Sequence, residues 1–441
     1  MLKLSIFGLG KLGCTMLACF AHKGWDVIGM DVNEEFINKI NDGISPIFEP
    51  HVDELIKNNR DRIQATINAA YAIENSDVSF VIVPTPSTEE GYFTTRFVET
   101  VASEIGSILN KKNKYHLIVI TSTVLPGDMN HIVNLLERTS QKKVSVDFGV
   151  CYNPDFIALG SVVRNFLNPD MVLIGESDKK AGEILESIHH KLVDNSPIIH
   201  RMNFHNAELT KIALNSYCTL KITFANVLAE ICEHLPGGDV DVVTNALGDD
   251  TRIGKKYLKG GLSYGGPCFP RDNRAFAWTA SRVGVKNILA LKTDEINDYQ
   301  RDVRIPEKIK KILQKTNGNK VAVLGLTYKS DTTLIEESAA IRIIKSLLSD
   351  TIIVNVYDPA GMAEAKEELG DNQNIHFFNN IEECIAETDL CFIASPWNEF
   401  KTLEASLFIE KMNNPTILDG WNLYNFDHNS TIKYHKIGIN I

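Results

Sequence analysis

The stretch LSIFGLGKLGCTMLACFAHKGWDVIGMDV, residues 4–32, constrains the fold more than any other. A short apolar run at 4–7 reads as a buried strand. Gly8, Gly10 and Gly13 follow in the spacing GxGxxG, residues 12–22 carry helical periodicity, and Gly24 ends the helix. DVIGMDV is then a second strand. Each glycine answers a separate demand: Gly8 a sharp turn, Gly10 close approach of backbone to a pyrophosphate, Gly13 packing of helix on strand. The helix start offers free N–H groups and the positive end of its dipole. GxGxxG is a weak signal alone. Between a strand and a helix, with an acid closing the second strand, it is strong. That acid is Asp31, which accepts from ribose hydroxyls and repels a 2′-phosphate. The reading is a doubly wound α/β domain that binds NAD in preference to NADP.

The alternation of strands and helices continues. VSFVIVPTP (78–86), HLIVITSTVLPG (116–127), FGVCYNPDFI (148–157) and MVLIG (171–175) read as further strands. Ligands of open α/β sheets lie beyond the carboxyl ends of the strands. Thr85, Ser122 and Thr123 are therefore candidates for the cleft, or for turn and capping chemistry. Residues 1–202 make this first domain. From 203 the texture changes: NAELTKIALNSYCTLKITFANVLAEICEHL has the three-four spacing of a long amphipathic helix. Asn206 is the expected cap, Glu208 lies in the first turn, Lys211 and Asn215 share a face, and Lys221 reads as solvated. Helices extend to residue 317. Over 318–441 the strand pattern returns in NKVAVLGLTYKSD, TIIVNVYDP, DLCFIASPW and PTILDGW, with a helix expected over 336–349. This smaller α/β domain has no GxGxxG and should bind something other than a dinucleotide. Lys329, just past a strand, is either a phosphate ligand or a surface lysine.

A net charge of −11 with no basic tract argues against nucleic acid or an anionic membrane as partner. No apolar run approaches the roughly 18 residues of a membrane span, and the opening MLKLSIFGLG is too short for a signal peptide. The expected location is the cytoplasm. The cysteines form no CxxC pair, so neither a disulfide framework nor a metal site is expected. Cys14, Cys19, Cys218, Cys232, Cys384 and Cys391 sit in apolar helix or strand patterns and read as packing. Cys268 differs. It lies in GGLSYGGPCFPRD, residues 260–272, too rich in glycine and proline for a regular element, beside Arg271 and Asp272. Those residues alone leave a functional and a packed cysteine both open.

Taken together, GLGKLG, YNPDF, KIALNSYCTLKITFAN, DDTRIGKKYLKGGLSYGGPCFPRD, LGLTYKSDT and VYDP resemble the UDP-glucose/GDP-mannose dehydrogenase family along nearly the whole chain. The resemblance implies an NAD-dependent, four-electron oxidation of a nucleotide-sugar C6 alcohol to the uronic acid, in polysaccharide biosynthesis. It makes Cys268 the covalent nucleophile and sets Lys211, Asn215 and Asp272 around the reacting oxygen, with Asp272 orienting the lysine or a water. Thr123 is similar to the residue that holds the water or substrate hydroxyl. Asp155 stands where the family has a glutamate for thioester hydrolysis. Arg271 is assigned to the cofactor; Arg252, Lys259, Gly265 and Lys329 are assigned to the nucleotide sugar, with Arg252 reaching across a subunit interface. A homodimer or larger homo-oligomer, joined by the central helical segment, is implied.

Some positions depart from the family pattern. Asp155 is one methylene short, Leu159 replaces a glutamate, and Glu336 stands for an arginine that meets the cofactor. Trp421 and Phe36 occupy positions that are basic in other members. UDP-glucose is the expected substrate; UDP-N-acetylhexosamines and GDP-mannose fit the same scaffold. A two-electron dehydrogenase would yield one NADH per sugar instead of two, and a silent nucleotide-sugar-binding homologue none.

Overall fold

The computed structural model describes residues 2–157, 160–348, 351–426 and 431–440, so Leu159 lies outside the described residues. The chain divides into two compact units, Met1–Ile212 and Ala213–Ile441. In the first, β1 (Leu4–Phe7), β2 (Val27–Met30), β3 (Ile63–Thr66), β4 (Val78–Val81), β5 (His116–Ile120), β6 (Phe148–Tyr152), β7 (Met171–Glu176) and β8 (Ile198–Met202) form one sheet. Its order is β3-β2-β1-β4-β5-β6-β7-β8. Only β6 and β7 pair antiparallel. The inner strands are apolar on both faces because helices cover both. Leu117 and Val119 of β5 join the core containing Leu17 and Phe20 of the helix Lys11–His22. Ile118 and Ile120 join the opposite core, with Val98 and Ile105 of the helix Arg96–Leu109. The strand order reverses direction between β1 and β4, which makes the carboxyl edge there the binding crevice of such a sheet.

In the second unit β9 (Lys320–Leu324), β10 (Ile353–Tyr357), β11 (Ile375–Phe377), β12 (Leu390–Ile393), β13 (Thr416–Asp419) and β14 (Lys433–Lys436) form a parallel sheet. Its order, β11-β10-β9-β12-β13-β14, repeats the winding of the first six strands of the larger sheet. The repetition reaches the hydrogen bonds. Gly8 N donates to Met30 O at 2.9 Å, and Gly325 N to Tyr357 O at 2.8 Å. Leu9 N donates to Asp31 Oδ2 at 2.6 Å, and Leu326 N to Asp358 Oδ2 at 2.6 Å. The two acids then part ways. Asp31 is partly exposed, whereas buried Asp358 also accepts from Thr327 N, Thr327 Oγ1, Trp397 Nε1, Ala360 N and Gly361 N.

The long helix runs over Phe204–His234, and the division between the units falls within it. Asn203 caps it, accepting from Asn206 N at 3.0 Å, so Asn206 is not the cap. The helix starts earlier because an asparagine one turn upstream already satisfies the free N–H groups. Lys221 is not merely solvated: its Nζ donates to Ile253 O at 3.1 Å and Gly254 O at 3.0 Å. The helix expected from residue 336 begins at Ala339, capped by Ser338.

Candidate active site

The first unit presents its nucleotide turn at the carboxyl end of β1. Gly8 has φ +98°, and a Cβ there would lie 2.3 Å from Ile82 O. A Cβ on Gly13 would lie 1.8 Å from Gly8 O, so helix and turn touch backbone to backbone. Gly10 is different. It caps the helix Lys11–His22 without a side-chain bond, and among the described residues no heavy atom lies within 4 Å of its missing Cβ. That open space over a helix N-terminus fits a pyrophosphate. Asp31 accepts Leu9 N and Asn33 N, at 2.6 and 2.9 Å, and so is held in place. A carboxylate has about four lone-pair sites, so two remain for ribose hydroxyls.

The neighbouring strand ends carry the other candidates of this unit. Thr85 and Ser122 are buried and Thr123 half-buried, beyond β4 and β5. Ser122 Oγ accepts from Val83 N at 2.8 Å and donates to Val83 O at 2.7 Å, tying the two loops together. Glu208, wholly buried, accepts from Gly127 N at 2.9 Å and Met129 N at 2.7 Å, and so fixes the turn that follows Thr123. Burial pushes the Glu208 carboxyl up, while those two backbone donors pull it down. Beyond β6, Lys211 Nζ donates to the backbone carbonyl of Asp155 and lies 4.7 Å from the Phe156 ring centre. Asp155 Oδ2 is closed off from solvent, with no hydrogen-bond partner among the described residues. Burial pushes this carboxyl up to about 7, against the pull of the Lys211 charge.

In the second unit Cys268 caps the helix Phe269–Arg282, with Pro270 in the first turn. Of the eight cysteines it alone is exposed. Burial holds the thiols of Cys14 and Cys19 up at about 12, and pushes those of Cys151, Cys218, Cys232, Cys384 and Cys391 up as well. Cys268 sits at the positive end of a helix, where negative charge is favoured. The loop before it is held by two buried asparagines. Asn226 bonds Gly261 N at 2.9 Å and Leu262 O at 3.1 Å; Asn297 bonds Tyr264 N at 2.9 Å and Tyr264 O at 3.0 Å. Asp272, wholly buried, accepts Asn215 Nδ2 at 2.6 Å on one oxygen and Arg271 Nε at 3.1 Å on the other. Within its own unit its partners are thus an amide and a guanidinium. Asn226, Asn297 and Glu208 escaped sequence reasoning as site residues. Each is a polar residue in a helical pattern whose role depends on backbone brought in from elsewhere.

The candidates for the nucleotide sugar are more scattered. Arg252 is exposed and bound by Asp250, with Nη2 to Oδ2 at 2.6 Å. Lys259 Nζ donates to Trp421 O at 3.3 Å. Trp421 is fixed through its indole N–H to Ala394 O at 3.0 Å. Lys329 is half-buried beyond β9, its Nζ 5.7 Å from the Tyr328 ring centre. The missing Cβ of Gly265 would lie 2.1 Å from Glu337 O, and that of Gly266 2.5 Å from the Tyr328 ring. Both glycines thus let the loop pack on its own unit. The side chain of Glu336 is exposed, while its carbonyl accepts Gly266 N at 3.0 Å. Phe36 packs against the core of the first unit. Among the described residues there is no cluster suited to a metal ion and no helix long and apolar enough to cross a membrane.

The chain is similar to known proteins along its whole length. It is 32% identical to the UDP-glucose 6-dehydrogenase TuaD of Bacillus subtilis, over 99% of this chain and 93% of that protein. It is also 32% identical to the GDP-mannose 6-dehydrogenase of Pseudomonas aeruginosa, over 89% of this chain and 91% of the relative. A solved UDP-glucose dehydrogenase from the hyperthermophilic archaeon Pyrobaculum islandicum superposes with a TM-score of 0.86 at 28% identity, covering 100% of this chain and 98% of that one. Residues 2–193 match the NAD-binding domain of one family, 205–299 its central domain and 322–426 its UDP-binding domain. With its dinucleotide turn and its two sheets of shared winding, the chain belongs to the UDP-glucose/GDP-mannose dehydrogenase family and is an NAD-dependent oxidoreductase.

Proposed function

We propose that the chain oxidises the C6 alcohol of a nucleotide sugar to the carboxylate in two stages, with UDP-glucose as substrate and UDP-glucuronate as product. The observation that carries this reading is Cys268, the one exposed cysteine, at a helix start below a loop pinned by Asn226 and Asn297. Bound NAD supplies the acceptor for the hydride lost at each stage. The rest falls to the chain. The Cys268 thiolate adds to the aldehyde carbon formed in the first stage, making a C–S bond and placing negative charge on the former carbonyl oxygen. The ammonium of Lys211 and the amide of Asn215, the latter fixed by Asp272, are the donors suited to that charge. The second oxidation leaves a thioester on Cys268. Water then cleaves the C–S bond, with the thiolate as leaving group and Asp155, aided by Thr123, taking the proton of the attacking water.

Asp31, Thr85, Ser122 and Arg271 are assigned to NAD, and Arg252, Lys259, Gly265 and Lys329 to the nucleotide sugar. The working segments are 1–202, 203–317 and 318–441. The match to a UDP-binding domain supports a uridine nucleotide. NADH formation with UDP-glucose, UDP-N-acetylhexosamines and GDP-mannose tests the substrate, two NADH per sugar being expected with the first. Cys268→Ser should bind NAD and sugar but make no acid at a useful rate, since a serine hydroxyl is a far weaker nucleophile. Steady turnover of that variant, or no NADH with any nucleotide sugar, overturns the reading.

A homodimer is part of the same reading. Tyr217, Phe224 and Ile231 are exposed at seven-residue intervals along the long helix, and Leu235 follows. Seven-residue spacing sets them along one side of the helix, the arrangement of a helix–helix seam. Phe224→Asp should convert a dimer into a monomer in sedimentation. A monomeric parent chain with full activity contradicts the assembly.

A further inference from the structure

Two residues that line one cavity of the first unit each carry a buried polar atom with no hydrogen-bond partner among the described residues. One is Asp155 Oδ2. The other is His189 Nδ1, on the helix Lys179–Leu192. The hydrogen bonds around His189 settle its tautomer. Asn153 Nδ2 donates to Leu173 O at 2.9 Å, which leaves Asn153 Oδ1 as an acceptor. His189 Nε2 lies 2.8 Å from that oxygen and therefore carries the proton. Burial, helped by His190, pulls the imidazole down to about 4, so it is neutral over the working range. His189 Nδ1 is then a bare lone pair, with no donor among the described residues.

Asp155 and His189 both line a cavity of about 30 Å3, whose other walls include Phe156, Asn165 and Phe166. One water needs roughly 10–15 Å3 and two to four polar partners. Leaving a buried polar atom unmet costs its full desolvation penalty, so a water that meets both is favoured. We infer that this cavity holds an ordered water bridging Asp155 Oδ2 and His189 Nδ1, which makes His189 a positioning residue for Asp155. Such a water gives one proton to the lone pair of His189. Towards Asp155 it has both a proton and lone pairs, so it donates to the carboxylate and accepts from the carboxylic acid. The carboxyl therefore keeps its partner, and its orientation, through the gain and loss of a proton that a general base undergoes. A neutral histidine is suited to the far end because it offers the same lone pair in both states.

The kinetic arm of the test rests on the hydrolytic role proposed for Asp155; the structural arm does not. A high-resolution crystal structure of the unaltered chain should show a solvent oxygen within hydrogen-bond reach of both atoms, and a dry cavity overturns the inference. His189→Leu should slow acyl-enzyme hydrolysis about tenfold, the scale of one hydrogen bond, with KM and the initial NADH burst unchanged. His189→Gln can donate to Asn153 Oδ1 and offer its own oxygen to the water, and should recover turnover to within about threefold. Equal losses in both variants remove the positioning role. If Asp155→Asn proves kinetically silent, the role of Asp155 fails while the crystal structure still decides the water. Should His189→Leu not fold, His189→Gln and the crystal structure carry the test.

Discussion

Asp155 is an aspartate whose burial reverses its usual charge preference near neutral pH. An aspartate in an unfolded chain ionises near pH 3.9, and burial raises this one to about 7 in the folded chain. The folded state therefore holds the proton more tightly. Its contribution to stability is complete below about pH 4 and is lost as the pH rises to about 7. Asp155→Asn removes that dependence, because an amide does not titrate. The melting temperature of the variant should gain on that of the parent between roughly pH 4 and pH 7. A difference that stays constant with pH would mean that Asp155 reaches solvent more freely than its closed-off oxygen indicates. The same substitution, in an active preparation, should make the Cys268 adduct accumulate after an NADH burst, as seen by intact mass. Residue chemistry was legible where type and neighbours suffice, as for Cys268 and Asp31. It was not legible for His189 or Glu208, whose partners lie tens of residues away in the chain.

At the scale of elements, the loop 260–267 shows how an irregular segment is made rigid. Asn226 and Asn297 each give the loop one acceptor and one donor, much as a neighbouring strand would. Replacing either by alanine leaves loop backbone groups buried and unmet, at about 1–3 kcal/mol per group. Asn226→Ala and Asn297→Ala should each lower the urea midpoint of the second unit and reduce kcat more than KM. Unchanged kcat in both would show that the loop holds its shape without them. The strands divide in a similar way between what can and cannot be read from sequence. All the inner strands were expected from their apolar runs. β3, β8, β11 and β14 were not, and these four are the edges of the two sheets. IIHRM and KYHK show why. An edge strand packs on one side only and carries charge that discourages further pairing, so its pattern merges with that of loops.

For the whole molecule, one winding serves twice and only one copy keeps the dinucleotide signature. GxGxxG and Asp31 made the first copy legible. The second hides behind GLTYKSD, whose Gly325 turn and Asp358 clasp depend on bonds between β9, β10 and the loop after β12. NAD should therefore slow amide hydrogen exchange around Leu9–Gly13 and leave Leu326 and Thr327 as they are in the free chain. Protection at both turns would show a second nucleotide site of the same kind. The difference lies in how many donors each acid has already met. Asp31 has met two and remains a socket. Asp358 has met six and has become a rivet. Damage at the first should be felt as hunger for cofactor in a chain that still folds; damage at the second should be felt in the cell as a chain that never accumulates.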